Sequence, residues 1–244
     1  NVRRMDFWRE LLAAPHPNLH FVFVSNYFAD EVAADLGLDL SSIRHSVIHN
    51  FIDPDVFPYV RKSAQDRLRL LSIRPFVSRA YANDLTVKAL QVIANEPWFN
   101  ELQITLVGDG ELFEDITRPL ASMTNVTLMK RFLTQDEIAA LHRQHGVFLS
   151  PTRMDTQGVS RDEAMSSGLV PITNAVAAVP EFVAEDCGFL AAAEDYEGLA
   201  AAIRQLRDDP QRFLAMSEAA AKRVRSQSGF DQTIGRELAL IANN

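Results

Sequence analysis

The sequence is poor in the features that mark secreted and membrane-spanning proteins. Its single cysteine, Cys187, can form neither an internal disulfide nor a cysteine-based zinc site, and its apolar surroundings favour a buried small side chain. No apolar run approaches the roughly 18 residues that a membrane-spanning helix needs. No amino-terminal segment reads as a signal peptide. We therefore expect a cytoplasmic, globular protein without disulfides.

Positive charge is also scarce. The 244 residues include 24 Lys and Arg against 32 Asp and Glu, which gives a formal net charge of -8. A nucleic-acid groove needs an excess of basic residues, so this balance argues against a nucleic acid as partner. An anionic ligand would have to be held by a local cluster of basic groups. We expect the partner to be a small molecule.

Several motifs of well-known chemistries are missing. The six histidines show no H-x-x-H or H-E-x-x-H spacing, so we expect no metal ion. No Walker loop, Gly-x-Ser-x-Gly elbow or G-x-G-x-x-G is present, so the kinase, hydrolase and dehydrogenase classes lack their central motif. We expect no cofactor. The histidines are His16, His20, His45, His49, His142 and His145.

Short β-branched runs alternate with amphipathic stretches along most of the chain. This alternation is typical of βα units that build a parallel sheet with helices on both faces. The strands are predicted at 68–73, 102–107, 126–129, 147–150, 169–173 and, more weakly, 188–190. The helices are predicted at 81–95, 111–122, 134–144, 159–167, 177–184, 195–208, 210–226 and 230–242. The pattern predicts an α/β fold with a Rossmann-like, doubly wound parallel sheet.

The first sixty residues do not fit that domain. They predict a helix at 5–13, a strand at 21–24 and a second helix that begins at Ser25 or Asn26 and ends at Gly37. One strand and two helices cannot form a core alone. We therefore expect four segments: the trailing part of an incomplete N-terminal domain with a crossover (1–58), a linker (59–67), the main domain (68–228) and a C-terminal helix (229–244).

The most informative stretch follows the fourth strand of the main domain. A loop carboxylate, Asp155, leads to Gly158, and a second carboxylate, Glu163, lies one turn into the next helix. Ligands of open α/β sheets bind beyond the carboxyl ends of the strands. Gly158 lets the backbone approach a bulky anion, and the N–H groups of Val159 and Ser160 can hold phosphate oxygens. Glu163 is placed to accept hydrogen bonds from a vicinal diol such as a ribose.

Each carboxylate also has a purely structural interpretation. Ser160-x-x-Glu163 has the form of a capping box, which stabilises a helix start without any ligand. Asp155 can cap a turn within its own loop. The residues alone leave these alternatives open.

The eight-residue spacing of Asp155 and Glu163 around Gly158 resembles the E-x7-E signature of the retaining nucleotide-sugar glycosyltransferases of family 4. Their GT-B fold packs two Rossmann-like domains around a cleft. Other segments match the family in the right order, from about residue 20 to the C-terminus. They are Ser25 before a helix, the crossover at 50–57, a strand ending at Arg74, the Gly-Asp-Gly turn at 108–110, the segment 125–133 and Pro180-Glu181.

The resemblance implies roles for individual residues. Arg74 and a cation five residues on, Arg79, would hold the donor diphosphate, Asp155 would approach the donor sugar, and Glu163 would take the ribose hydroxyls. The remaining donor-binding residues would be Gly110, Arg131, Phe132, Gly158, Val159 and Ser160, with the backbone near Arg131 and Phe132 meeting the base.

The sequence departs from the family pattern at several of these places. Asp155 is one methylene shorter than the usual Glu, and Ala177-Ala178 replace a Gly-Gly pair. Arg79 stands where the family usually has Lys. The stretch from 78 to 84 is one or two residues longer than usual, so Asn83 is an alternative to Arg79 at the second phosphate-binding position.

The resemblance implies a glycosyltransferase fragment that moves a sugar from a nucleotide-diphosphate-sugar donor with retention of anomeric configuration. A glycan or lipid-linked acceptor would bind through the missing N-terminal domain, as in cell-surface polysaccharide or lipopolysaccharide biosynthesis. The chain alone would then be inactive. A non-catalytic transferase-like binding module and a nucleotide-sugar epimerase on the same fold are the alternatives.

The first predicted helix also has two interpretations. Arg3, Arg4, Phe7 and Trp8 could make peripheral contact with the inner face of the plasma membrane, as in family members that use lipid-linked acceptors. The other interpretation is that the helix packs against the missing domain.

Overall fold

The structure, a computed structural model, describes residues 2–14 and 18–242, with side chains from Met5 onward in the first helix. The strands of this part of the chain are β1 (Phe21–Phe23), β2 (His45–Val47), β3 (Arg69–Ile73), β4 (Gln103–Gly108), β5 (Val126–Lys130), β6 (Val147–Leu149), β7 (Val170–Asn174) and β8 (Phe189–Ala191). Its helices are α1 (Val2–Ala13), α2 (Asn26–Leu36), α3 (Asn83–Ile93), α4 (Phe113–Thr117), α5 (Gln135–Gln144), α6 (Val159–Ser166), α7 (Val179–Phe182), α8 (Tyr196–Asp208), α9 (Pro210–Ser228) and α10 (Ile234–Ala242).

Six parallel strands form the main sheet in the order β5-β4-β3-β6-β7-β8. Leu70 of β3 lies opposite Ile104 of β4 on one side and Val147 of β6 on the other. The chain therefore winds outward from β3 in one direction and from β6 in the other. The strand order reverses between β3 and β6, and a crevice forms there at the carboxyl ends of the strands.

Helices cover both faces of the main sheet because its strands are apolar on both sides. Leu70 and Leu71, neighbours on β3, are both fully buried and point to opposite faces. Leu70 packs in a cluster with residues of α3, α4 and α8, whereas Leu71 packs with residues of α5 and α6. The predicted doubly wound α/β fold is confirmed.

Three predicted helices are shorter than expected, and the one predicted at 230–242 begins only at Ile234. The segment predicted at 111–122 forms α4 followed by a 3-10 turn, Arg118–Leu120. Pro119 lies in this turn, and its backbone nitrogen has no hydrogen to donate to the bond that would continue an α-helix. The segment predicted at 177–184 forms only the single turn of α7.

The amino-terminal segment forms a small unit around the two-stranded parallel sheet β1-β2. Its helix α2 begins as predicted, because the Ser25 hydroxyl accepts a hydrogen bond from the Phe28 N–H at 3.2 Å. The helix ends at Gly37, which adopts φ +65°. A core of six buried side chains holds the unit together: Leu12, Phe23, Ala29, Ala33, Leu36 and Ile43.

The stretch predicted as a linker lies against the main domain. It contains the start of a 3-10 turn, Ala64–Leu68. Lys62 is buried and its Nζ donates to the His142 carbonyl at 2.6 Å, while Arg67 Nε donates to the Arg207 carbonyl at 2.8 Å. The domain boundaries themselves stay a prediction.

Candidate active site

A cavity of about 380 Å³ opens at the crevice where the strand order reverses. Loops that follow β3, β4, β5 and β6 line it, so four separate segments meet at one place. The lining consists of Ile73, Arg74, Pro75, Tyr81, Gly108, Asp109, Arg131, Phe132, Leu133, Ile138, Asp155, Gly158, Val159 and Ser160. Most of the site residues predicted from the sequence are therefore brought together, but Arg79, Gly110 and Glu163 are not in the lining.

Arg74 is the buried cation of this cavity. Its side chain is only 6% exposed, and its Nε has no hydrogen-bond partner in the described part of the chain. Burial lowers the pKa of Arg74, the Asp155 carboxylate opposes that change, and the nearby Arg161 adds to it. A buried cation is costly unless it is paired. The cavity is therefore suited to an anion.

The amino end of α6 faces the same cavity. Gly158 is the N-cap residue with φ +91°, and it offers no side chain to cap the helix. The first N–H groups of a helix have no intrahelical acceptor, so those of Val159 and Ser160 are available to an anion. The helix dipole adds positive potential at this end.

The position of this cap excludes the capping-box interpretation of Glu163. Because Gly158 is the N-cap, Ser160 lies inside the helix and the Ser160–Glu163 capping box does not form. The Glu163 carboxylate accepts no hydrogen bond from the described residues. Burial raises the pKa of Glu163 to about 7, and the neighbouring Asp162 carboxylate adds to the effect. A half-buried carboxylate without a structural partner is available to a ligand.

Asp155 caps a turn of its own loop and also lines the cavity. Its Oδ1 accepts a hydrogen bond from the Gln157 N–H at 3.1 Å, which is the expected turn cap. The same residue lines the cavity. Its carbonyl accepts from the Ala178 N–H at 3.1 Å, next to Ala177, whose φ of +49° is left-handed. That conformation explains why glycine suits position 177.

Gly110 supports the site from outside the lining. A Cβ on Gly110 would lie 2.3 Å from the Phe76 carbonyl carbon, and one on Gly108 would lie 1.9 Å from the Arg74 carbonyl oxygen. These two glycines let the loop after β3 run along the end of β4, where the Arg74 N–H donates to the Val107 carbonyl at 3.0 Å. Gly110 therefore helps to place Arg74.

Neither residue predicted for the second phosphate position faces the cavity. Arg79 is exposed and outside the lining. Asn83 is buried, and its Nδ2 donates to the Pro75 carbonyl at 2.8 Å. Tyr81 lies in the lining instead, with its ring centroid 5.3 Å from the Arg74 guanidinium carbon.

A buried polar network below Gly158 is absent from the sequence-based prediction. Gln157 Oε1 accepts from the Asn50 backbone N–H at 2.6 Å and from Asn50 Nδ2 at 2.9 Å. Gln157 Nε2 donates to Asp162 Oδ2 at 3.2 Å. Arg161 donates to Asp162 Oδ1 at 2.8 Å and to the Gln157 carbonyl. The network ties the crossover to the start of α6.

A second network that the sequence did not reveal fixes the loop after β3. Arg153 forms paired hydrogen bonds with Asp84 at 2.8 and 3.0 Å and with Glu194 at 2.6 and 2.8 Å. These two carboxylates raise the pKa of Arg153. The same guanidinium donates to the Arg79 carbonyl at 2.6 Å. The loops after β3 and β6 are thereby joined at the edge of the site.

Glu181 connects the small amino-terminal unit to the main domain. Its carboxylate accepts hydrogen bonds from the backbone N–H groups of Asn26 and Tyr27 at 2.9 and 2.6 Å. The Asn26 side chain donates to it as well, at 2.9 Å. Glu181, which the family resemblance had singled out, thus caps α2 from a position 155 residues further along the chain.

Residues 2–14 and 18–242 contain neither a metal-ligand cluster nor a membrane-spanning helix. No group of three or more His, Cys, Asp or Glu side chains there is arranged to hold a metal ion. None of the helices in those ranges is both long and apolar enough to cross a bilayer. His16 and the side chains of Arg3 and Arg4 lie outside the described residues.

The fold and the cavity together define the class: an α/β protein of the GT-B type with a crevice at the carboxyl ends of its strands. The family model "Glycosyl transferases group 1" matches residues 69–209, which is more than half of the chain. The chain belongs to the group 1 glycosyl transferase family.

Individual relatives agree with this assignment. The chain is 31% identical over 113 residues to the sulfoquinovosyl transferase SQD2 of Arabidopsis thaliana, a match that covers 45% of this chain and 22% of that protein. All of the chain superposes on 61% of a sucrose-phosphate synthase from Thermosynechococcus elongatus, with a TM-score of 0.78 and 17% identity. It also superposes on 68% of Anabaena Alr3699/HepE, solved with UDP and glucose, with a TM-score of 0.79 and 14% identity. The chain thus spans only part of the length of these relatives.

Proposed function

We propose that this chain is the donor-binding part of a retaining family 4 glycosyltransferase that uses a nucleotide-diphosphate-sugar donor. One observation carries the proposal. Arg74, which is buried and whose Nε has no hydrogen-bond partner among the described residues, lines the same cavity as the amino end of α6. A diphosphate between these two groups would satisfy both. The family assignment supports the proposal.

The proposed role of these groups is to stabilise the leaving group. When the bond between the anomeric carbon and the phosphate oxygen breaks, its electron pair passes to that oxygen, and the nucleoside diphosphate gains negative charge. The guanidinium of Arg74 and the N–H groups of Val159 and Ser160 are fixed before the reaction, so they stabilise this charge without reorganisation. The acceptor hydroxyl oxygen forms the new bond to the anomeric carbon, and its proton passes to the departing phosphate oxygen.

The other cavity residues suit the remaining parts of a donor. Phe132 is 75% exposed at the rim, beside Arg131, whose guanidinium is held by Glu137 at 2.7 Å. We assign the nucleoside base to this side and the ribose hydroxyls to Glu163. Asp155 is assigned to the donor sugar. In this proposal the Arg74 guanidinium and the N–H groups of the α6 amino end hold the diphosphate, and no metal ion takes part.

The relatives support the nucleotide part of the donor. The structure of Anabaena Alr3699/HepE contains UDP and glucose, and that of S. aureus TarM contains UDP, which supports a nucleotide-sugar donor here. We propose a glycan or lipid-linked acceptor in cell-surface polysaccharide or lipopolysaccharide synthesis, in the cytoplasm or peripherally at the inner membrane face. Phe7 and Trp8 of α1, 56% and 43% exposed, are the residues for such a contact.

Titration calorimetry with UDP, GDP and ADP, each with and without EDTA, tests the proposal. At least one nucleotide should bind, and EDTA should leave the affinity unchanged. Arg74→Ala should weaken binding by about 1.5–3 kcal/mol, the scale of a hydrogen bond to a charged group. Lys222→Ala, which removes an exposed charge on α9, is the control. Binding of none of the three nucleotides would refute the proposal and favour a non-catalytic module.

A further inference from the structure

We propose that Tyr81, and not Arg79, is the second side chain, after Arg74, that contacts the donor diphosphate. The inference rests on the proposed function, since it concerns the same cavity. Tyr81 lines the cavity beside Arg74, whereas Arg79 is exposed outside it. The alternative residue, Asn83, already donates to the Pro75 carbonyl from a buried position.

The backbone explains why only one of these side chains faces the cavity. Residues Arg79–Tyr81 form a single 3-10 turn, which Ser78 opens by accepting from the Ala80 N–H at 3.2 Å. Successive side chains of a 3-10 helix point about 120° apart, so Arg79 and Tyr81 face different directions. The turn ends at Ala82, which is fully buried with φ +49°.

Neighbouring segments hold this turn in place. The Ala80 carbonyl accepts from the Arg153 N–H at 2.9 Å and from Thr152 Oγ1 at 3.2 Å. The Arg79 carbonyl accepts from the Arg153 guanidinium at 2.6 Å. Arg153 is itself held by two carboxylates, those of Asp84 and Glu194. Rotating the turn to bring Arg79 inward would break these bonds.

Tyr81 offers two interactions to a bound diphosphate. Its hydroxyl has no hydrogen-bond partner among the described residues, so it is free to donate to a phosphate oxygen. Its ring lies 5.3 Å from the Arg74 guanidinium carbon, within the range of a cation–π contact that fixes the cation. No covalent step is involved.

Calorimetry separates this assignment from the one based on the sequence. Tyr81→Phe keeps the ring and removes only the hydroxyl, so the dissociation constant for the tightest-binding of UDP, GDP and ADP should rise about tenfold. Tyr81→Leu should weaken binding further, because Arg74 loses the ring as well. Arg79→Ala should have a smaller effect than Tyr81→Phe. The sequence-based assignment expects the opposite order.

The matching nucleoside without phosphates provides a second measurement. A residue that contacts the diphosphate should change the affinity for the nucleotide and leave that for the nucleoside unaltered. Equal losses for both would show that Tyr81 has only a structural role and would overturn the inference. A change of less than twofold in Tyr81→Phe would overturn it as well. If the wild-type protein binds none of the three nucleotides, the proposed function falls and this inference falls with it.

Discussion

Replacing Glu163 by Gln should make the protein more stable at neutral and alkaline pH. The pKa of Glu163 in the folded protein is about 7, against an ordinary value of 4.5, because burial disfavours the charged form. Between these pH values the folded protein keeps a proton that the unfolded chain has released. Folding stability therefore falls as the pH rises from 4.5 to 7, and it then levels off.

The size of this effect follows from the shift. Each pKa unit corresponds to about 1.4 kcal/mol. The rise of the Glu163 pKa from 4.5 to about 7 therefore lowers the folding stability above pH 7 by about 3 kcal/mol. Glutamine stays neutral throughout. Glu163→Gln should therefore be more stable than the wild type by up to about 3 kcal/mol at pH 8, and the two should converge near pH 4.

Urea unfolding of both proteins between pH 4 and pH 8 measures this difference. Glu218→Gln, which removes the same charge from an exposed position on α9, is the matched control. Glu163→Gln should also bind nucleosides more weakly than the wild type, because an amide accepts fewer hydrogen bonds from a ribose than a carboxylate does. A stability difference that does not depend on pH would refute the reasoning, and unchanged nucleoside affinity would remove Glu163 from the ribose site.

Two further predictions concern the contacts between the small unit, the crossover and the main domain. Gln157→Leu should lower the unfolding free energy by about 2–4 kcal/mol, because it leaves the Asn50 N–H and Asp162 Oδ2 without partners. Gln91→Leu on the exposed face of α3 is the control, and equal melting temperatures for the two variants would contradict this. Glu181→Ala should speed hydrogen exchange of the Asn26 and Tyr27 amides, which lose their acceptor. Hydrogen-exchange mass spectrometry measures this change. Exchange as slow as in the wild type would show that Glu181 does not stabilise the start of α2.

The central strands of the main sheet, β3, β6 and β7, could be predicted because they are buried on both faces. All three residues of β6 (Val147–Leu149) are buried, and the strand is a continuous apolar run. The caps of α2 could also be predicted, because Ser25 and Gly37 act through local backbone geometry. Such features depend on neighbouring residues in the chain, and the pattern of side chains records them directly.

The parts of the site that escaped prediction depend on contacts between distant residues. Gln157 bonds to Asn50, which lies 107 positions earlier, and Arg153 bonds to Glu194, which lies 41 positions later. Counting residues from Arg74 leads to Arg79, because spacing alone does not reveal a 3-10 turn that directs Tyr81 inward. Buried polar networks of this kind follow from the tertiary fold and not from local periodicity.

The most direct test of the account is a crystal structure of the protein soaked with whichever of UDP, GDP and ADP binds most tightly. We predict that the diphosphate lies between the Arg74 guanidinium and the backbone N–H groups of Val159 and Ser160, within hydrogen-bond distance of both. A nucleotide bound elsewhere on the protein, or a diphosphate that contacts only one of these two elements, would contradict the proposed donor site.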